Sequence, residues 1–148
     1  MGIIPLCFSE RDGVYEGWWI LMDEKFTVSD KSKAFAVRIV HLHEYLCTES
    51  RAFDLARQVL RSGTSIGANI AEAGCAISRK EFLAKMYIAY KECVETLYWL
   101  EILYRTDYIS EAQFCSLEED CIELRKMLSS ITKTMREKLR AADRGANS

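Results

Sequence analysis

Arg61-Ser62-Gly63-Thr64-Ser65-Ile66-Gly67-Ala68-Asn69-Ile70-Ala71-Glu72-Ala73 is the stretch on which the fold turns. Gly63, Gly67 and Ala71 fall at four-residue steps, so on a helix they stack along one side. A side without bulk lets another backbone come near. Between Trp18 and Arg144 the chain has no proline, and its only glycines are Gly63, Gly67 and Gly74. Glycine inside a helix costs about 1 kcal/mol against alanine. Two of them are sustained only where close packing compensates. The competing reading breaks the helix at Ser62-Gly63 and makes a phosphate-holding loop there. The chain has no Gly-x-x-x-x-Gly-Lys-[Ser/Thr] pattern to support it, and no strand precedes the stretch.

Around this stretch the apolar period is helical throughout. Leu55, Val59, Ile66 and Ile70 give an apolar edge to a helix over Phe53–Ala73. Before it, Phe35, Ile39, Leu42 and Leu46 step by 4, 3 and 4, which predicts a helix from Asp30 to about Cys47, capped by Ser29 or Asp30. After it, Ser78 with Glu81 makes a capping box. The helix that follows runs to about Thr106 with Phe82, Met86, Ala89, Cys93, Leu97, Leu100 and Leu103 on one face. Tyr87, Tyr90, Tyr98, Trp99 and Tyr104 form a second stripe, so this helix meets more than one neighbour. Ser110 caps a last helix to about Leu139. There Phe114, Leu117, Cys121, Leu124, Leu128, Ile131 and Met135 alternate steps of 3 and 4, a heptad pattern of near-parallel packing. Short turns between long amphipathic helices make them antiparallel neighbours. The expected fold is all-α, an antiparallel up-down-up-down four-helix bundle over residues 22–140, with residues 141–148 a flexible tail.

Met1 to Leu21 differ from the rest. They hold the only proline, Pro5, and two of the three tryptophans, with no sustained helical period. They read as an N-terminal extension, disordered or non-native: either Met22-Asp23-Glu24-Lys25 is the native start, or the extension is a lineage-specific arm. The stretch lacks the basic start and cleavage site of a signal peptide.

Composition narrows the function classes. The 148 residues are 49% apolar and 28% charged, with net charge −2, which gives no whole-chain basic excess for nucleic acid. The six cysteines are scattered, none in Cys-x-x-Cys, and read as reduced apolar side chains of a cytoplasmic protein. No apolar run approaches the roughly 18 residues of a membrane span. The two histidines, His41 and His43, have Arg38 and Val40 three residues before them, not the glutamates of a di-iron bundle. No metal or other cofactor is expected.

With the helices placed, Ala34-Phe35, Arg38-Ile39-Val40, Tyr45-Leu46 and above all Leu60 to Ala73 resemble the bacterial four helix bundle protein family. These proteins are encoded in intervening sequences of large-subunit ribosomal RNA genes. Lys80, Glu81, Phe82, Lys91-Glu92, Glu95-Thr96 and Tyr98-Trp99-Leu100 extend the resemblance, which covers about Ser32 to Leu139. It implies a bundle that assembles as a ring-like homopentamer, with no established catalytic activity. A related accessory protein of diversity-generating retroelements binds nucleic acid and a reverse transcriptase through a basic surface. Arg61, Ser62, Gly63, Gly67, Asn69, Glu72, Glu92, Glu95 and Trp99 are marked by the resemblance as motif positions.

Three features leave alternatives open. Glu92 and Glu95 share a helical face and read either as an acid–base pair or as partners of Arg57 or Arg61. The small face, Gly63, Gly67 and Ala71, serves contact within one subunit or between subunits. The last helix carries only acids from Asp107 to Glu123. From Arg125 to Arg144 it carries a local net of +5, including Arg125, Lys126, Lys133, Arg136, Lys138 and Arg140. That gradient fits either complementarity to the helix dipole or a basic end for RNA phosphate. The expected function is a non-enzymatic, self-assembling scaffold associated with RNA or a nucleic-acid-processing protein. The alternative is an oligomeric protein-interaction module that binds no nucleic acid.

Overall fold

The computed structural model describes residues 27–146. The extension over residues 1–21 lies outside them. Four helices follow one another: α1 (Val28–Glu49), α2 (Phe53–Ala73), α3 (Arg79–Arg105) and α4 (Glu111–Ala146). Each packs on the next, and α4 returns to α1 through the thinnest of the four contacts. Cross-helix pairs run in opposite directions at every interface. Examples are Arg61–Glu95 with Glu72–Lys85 for α2 and α3, and Lys31–Glu123 with Arg38–Asp120 for α1 and α4. The topology is therefore an antiparallel up-down-up-down bundle.

The helix starts are set by side-chain caps. Thr27, not Ser29 or Asp30, begins α1, and Asp30 closes a capping box with it: the Asp30 amide donates to Thr27 Oγ1 at 3.2 Å and the Thr27 amide to Asp30 Oδ2 at 3.3 Å. The sequence pattern places this start two residues late because an aspartate serves equally well as cap or as third residue. Ser78 Oγ accepts from the Glu81 amide at 3.1 Å, while the Glu81 carboxylate reaches one residue further back, to the Ile77 amide at 2.9 Å. Ser110 and Gln113 exchange the reciprocal pair of bonds at the head of α4. Arg51 and Asp107 adopt the left-handed conformation, with φ of 51° and 59°, and turn the chain out of α1 and α3.

The core is built from the apolar faces the periodicity defines. Phe35, Ile39, Leu42 and Leu46 of α1 meet Val59, Ile66 and Ile70 of α2. Phe82, Met86, Ala89, Cys93, Leu100 and Leu103 of α3 and Leu117, Cys121, Leu124, Leu128 and Ile131 of α4 complete it. Tyr104 stacks on Phe114 with ring centroids 4.9 Å apart, locking the α3–α4 turn.

Helix α2 is unbroken through Ser62 and Gly63, both buried, so no phosphate loop forms there. Gly63 and Gly67 face α1 inside the bundle. A Cβ at Gly63 would sit 2.8 Å from both Cγ1 and Cγ2 of Ile39, and one at Gly67 would sit 3.3 Å from Ser32 Oγ. Ala71 does not continue this contact, because it is exposed. At 3.6 residues per turn a four-residue step drifts by about 40°, so two steps beyond Gly63 the row has rotated out of the seam.

Helix α4 also departs from the expected outline. It stays helical to Ala146, past the expected end near Leu139, and residues 141–145 are exposed. No helix breaker precedes Gly145, and Leu139 keeps the period half-buried to that point.

Gly63→Ala is expected to destabilise the protein by about 1–3 kcal/mol, since fully buried, β-branched Ile39 has no room to yield. Gly67→Ala should fall within about 1 kcal/mol of the parent, because improved helix propensity offsets a mild contact with Ser32. Urea unfolding of the two variants checks the contrast.

Candidate functional site

The motif positions divide among three places. Gly63 and Gly67 serve α1. Arg61, Ser62, Glu92, Glu95 and Trp99 converge on the seam between α2 and α3. Asn69 and Glu72 lie further along α2 and do not join them: the Asn69 amide donates to the Ser65 carbonyl of its own helix at 2.9 Å, and Glu72 pairs with Lys85 of α3.

At the seam, Arg61 pairs with the Glu95 carboxylate, which also accepts from Trp99 Nε1 at 3.2 Å. Beneath them lies Thr96, which the resemblance covers in Glu95-Thr96 but does not mark as a motif position. Its hydroxyl is shared between Ser62 Oγ at 3.0 Å and the Glu92 carbonyl at 2.8 Å, and both Ser62 and Thr96 are fully buried. Thr96 stands four residues after Glu92 on the face that also carries Cys93 and Leu100. Only the α2 register reveals that its partner is a serine. Trp99 packs edge-on against Tyr98 with centroids 5.0 Å apart.

Glu92 is the odd member. Its Oε2 is closed off from water and has no hydrogen-bond partner. Burial, reinforced by the like charge of Glu95, holds its carboxyl above the ordinary range, and Arg61 offsets this only in part. The pairing alternative for Glu95 is therefore realised with Arg61. Arg57 instead pairs within its own helix, with Asp54.

Elsewhere the reactive side chains diverge. His41 Nδ1 lies 3.4 Å from Glu44, and His43 Nε2 lies 3.6 Å from Cys47 Sγ, so the two imidazoles serve different neighbours. Among the described residues no three His, Cys, Asp or Glu side chains converge on a point that could hold a metal. The Cys121 thiol donates to the Cys93 carbonyl at 3.5 Å; hydrogen bonding to Cys93 and burial push its pKa far up. A thiol so held is not a nucleophile.

The charge gradient of α4 resolves into two halves with different neighbours. In the acidic half, Asp120 takes Arg38 and Glu123 takes Lys31, both from α1. Arg38 also donates to the Ser116 carbonyl at 3.0 Å and to Ser116 Oγ at 2.8 Å. In the basic half, Arg125 is half-buried, while Lys126, Lys133, Arg136, Lys138 and Arg140 are exposed and, among the described residues, in no ion pair. At about 100° per residue, Lys126, Lys133, Arg136 and Arg140 share one stripe and Lys138 stands on another side. Lys133 and Arg136 border a cavity of 340 Å³ lined also by Tyr87, Tyr90, Ser129 and Thr132. The sequence contains both aromatic and basic stripes, but only the α3–α4 register sets them side by side.

Comparison with known proteins gives the chain relatives. A family model described as 23S rRNA-intervening sequence protein matches residues 24–130. A 1.70 Å crystal structure of a protein of unknown function, assigned to the S23 ribosomal protein family of Bacteroides thetaiotaomicron VPI-5482, is 53% identical. The match covers 72% of this chain and 99% of that one, with a TM-score of 0.72. No curated protein matches.

Glu92 generates a pH prediction. A carboxyl whose folded pKa is raised binds more protons folded than unfolded in the window above the ordinary carboxylate range. Its ionisation therefore lowers stability as pH rises through that window. Glu92→Gln should melt at or above the parent temperature at neutral pH, with the advantage vanishing near about pH 4. Melting curves at the two pH values check the sign.

Proposed function

The chain belongs to the 23S rRNA-intervening sequence protein family, and on that premise we propose that it is a non-enzymatic, self-assembling helical scaffold that meets RNA through α4. The observation that carries this reading is the stripe of Lys126, Lys133, Arg136 and Arg140, exposed and without carboxylate partners among the described residues. One acid, Glu137, shares the face of this stripe and forms no ion pair among the described residues; five others of α4, Glu111, Glu118, Glu119, Asp120 and Glu123, stand in its first half, where α1 draws on Asp120 and Glu123. Helix-dipole complementarity alone asks for cations in the last turn, whereas this stripe begins at Lys126, five turns earlier by about 3.6 residues per turn. Free cations along one helix face suit phosphate, which is bound through counterion release.

Self-assembly is supported by apolar side chains on outward faces. Val94 and Tyr98 of α3 are 46% and 55% exposed, and Val37 and Val40 of α1 are also open. Helices α1 and α3 stand diagonally across the bundle. A ring closes through two different surfaces of each subunit, and these diagonal faces suit that geometry. Against an enzymatic role, Glu95 is engaged with Arg61 of α2 and with Trp99 of its own helix, and Glu72 with Lys85. The exposed Val94 and Tyr98 also favour the second reading, a protein-interaction module without nucleic acid.

Two measurements separate these readings. Light scattering should give a mass several times the 17.0 kDa chain, and Tyr98→Asp should shift it toward the monomer. Ribosomal RNA fragments should be retarded in a gel at low salt and less so at moderate salt. Replacing Lys126, Lys133 and Arg140 by alanine should flatten the logarithmic salt dependence by about 3. Assembly without RNA retention at low salt supports the interaction module instead.

A further inference from the structure

The groove between α3 and α4 combines two chemistries that the basic stripe alone does not have. Tyr87 and Tyr90 lie one turn apart with their rings stacked, centroids 5.9 Å apart and planes 14° from parallel. Tyr90 is half-buried against the core, and Tyr87 remains 45% exposed. Across the groove, α4 contributes Ser129, Thr132, Lys133 and Arg136 to the same cavity. Thr132 is itself satisfied, its hydroxyl lying 2.9 Å from the Leu128 carbonyl of its own helix, so the donors left to the groove are the two cations, Ser129 and the tyrosine hydroxyls. The cavity of 340 Å³ is at the small end of ligand-binding clefts.

We propose that this groove holds an unpaired nucleotide of single-stranded RNA, with its base on the Tyr87 ring and its phosphate between Lys133 and Arg136. A tyrosine ring that is 45% exposed and backed by a second, stacked ring is a stacking platform; aromatic platforms beside cations are how proteins grip single strands without reading sequence. A duplex keeps its bases stacked on each other and offers such a ring nothing, so the groove selects loops, bulges and ends. Lys126 and Arg140 lie along the same face of α4, about 10 Å to either side of Lys133 at 1.5 Å per residue. They extend the phosphate track beyond the one gripped nucleotide. The proposal rests on the reading that α4 meets RNA, and adds which form of RNA and which ring.

Fluorescence anisotropy with a short labelled RNA tests it, offered as a single strand and as the same sequence in a duplex. The parent is expected to prefer the single strand. Tyr87→Ala should weaken single-strand binding about tenfold, the loss of one stacked base, and abolish the preference. Tyr87→Phe should retain both. Tyr87→Leu, which keeps apolar bulk but no ring, should behave as Tyr87→Ala. Lys133→Ala and Arg136→Ala should weaken both forms, whereas Lys138→Ala, on another face, should weaken neither form as much. If the parent binds RNA and Tyr87→Ala binds single strands as well as the parent does, the groove proposal is overturned and the α4 reading survives. If the parent binds neither form at low salt, both fall.

Discussion

The contact between Gly63 and Ile39 is the constraint on which the rest of the bundle depends. Ile39 is wholly buried, and its branched side chain lies where any Cβ at position 63 would stand. Two helices that meet in this way approach more closely than side chains normally permit, and the approach fixes their register. Once α1 is seated on α2, Phe35, Leu42 and Leu46 are aimed at the core, and Gly67 falls opposite Ser32. The intrinsic cost of glycine in a helix is thus offset by packing that only glycine permits.

Polar groups then decide which surfaces remain open. On one flank of α2, Arg61, Glu95 and Trp99 form a half-exposed network over the buried Ser62–Thr96 hydrogen bond. An exposed ion pair contributes little to stability, about 0–1 kcal/mol; its value here is to specify which turn of α3 lies beside which turn of α2. On the far side, where α1 and α4 touch least, Arg38 and Lys31 engage Asp120, Ser116 and Glu123. Those bridges use acids from the first half of α4. In the second half of the same helix, Lys133 and Arg136 form no ion pair among the described residues and stand next to two tyrosines of α3.

Much of this was legible before the structure because it depends on period and on a few special residues. The heptad from Phe114 to Met135 and the glycines at 63 and 67 define helices, faces and order without knowledge of neighbours. What was not legible is pairwise. Nothing local to Lys31 or Arg38 says that Glu123 and Asp120 lie across from them, and Thr96 looks like a weak helix former until Ser62 is placed beside it. Spacing alone puts Ala71 on the small face, and the drift of a four-residue step in a 3.6-residue helix turns it away from α1. At the end of α4 the apolar period fades after Leu139, yet a polar helix without breakers continues to Ala146. Within the site, residue types were readable, but the meeting of Tyr87 with Lys133 required the register of α3 on α4.

The role of Gly63 as the place where α1 seats is tested most directly by a double-mutant cycle with Ile39, read by urea unfolding. Ile39→Ala alone removes the atoms that exclude a Cβ and leaves a cavity, costing about 2–5 kcal/mol. With Gly63→Ala added, the new methyl enters vacated space. The double variant is predicted to lose less stability than the two single losses together, by more than the roughly 0.5 kcal/mol scatter of independent sites. Losses that simply add would contradict the contact and with it the seating of α1 on α2.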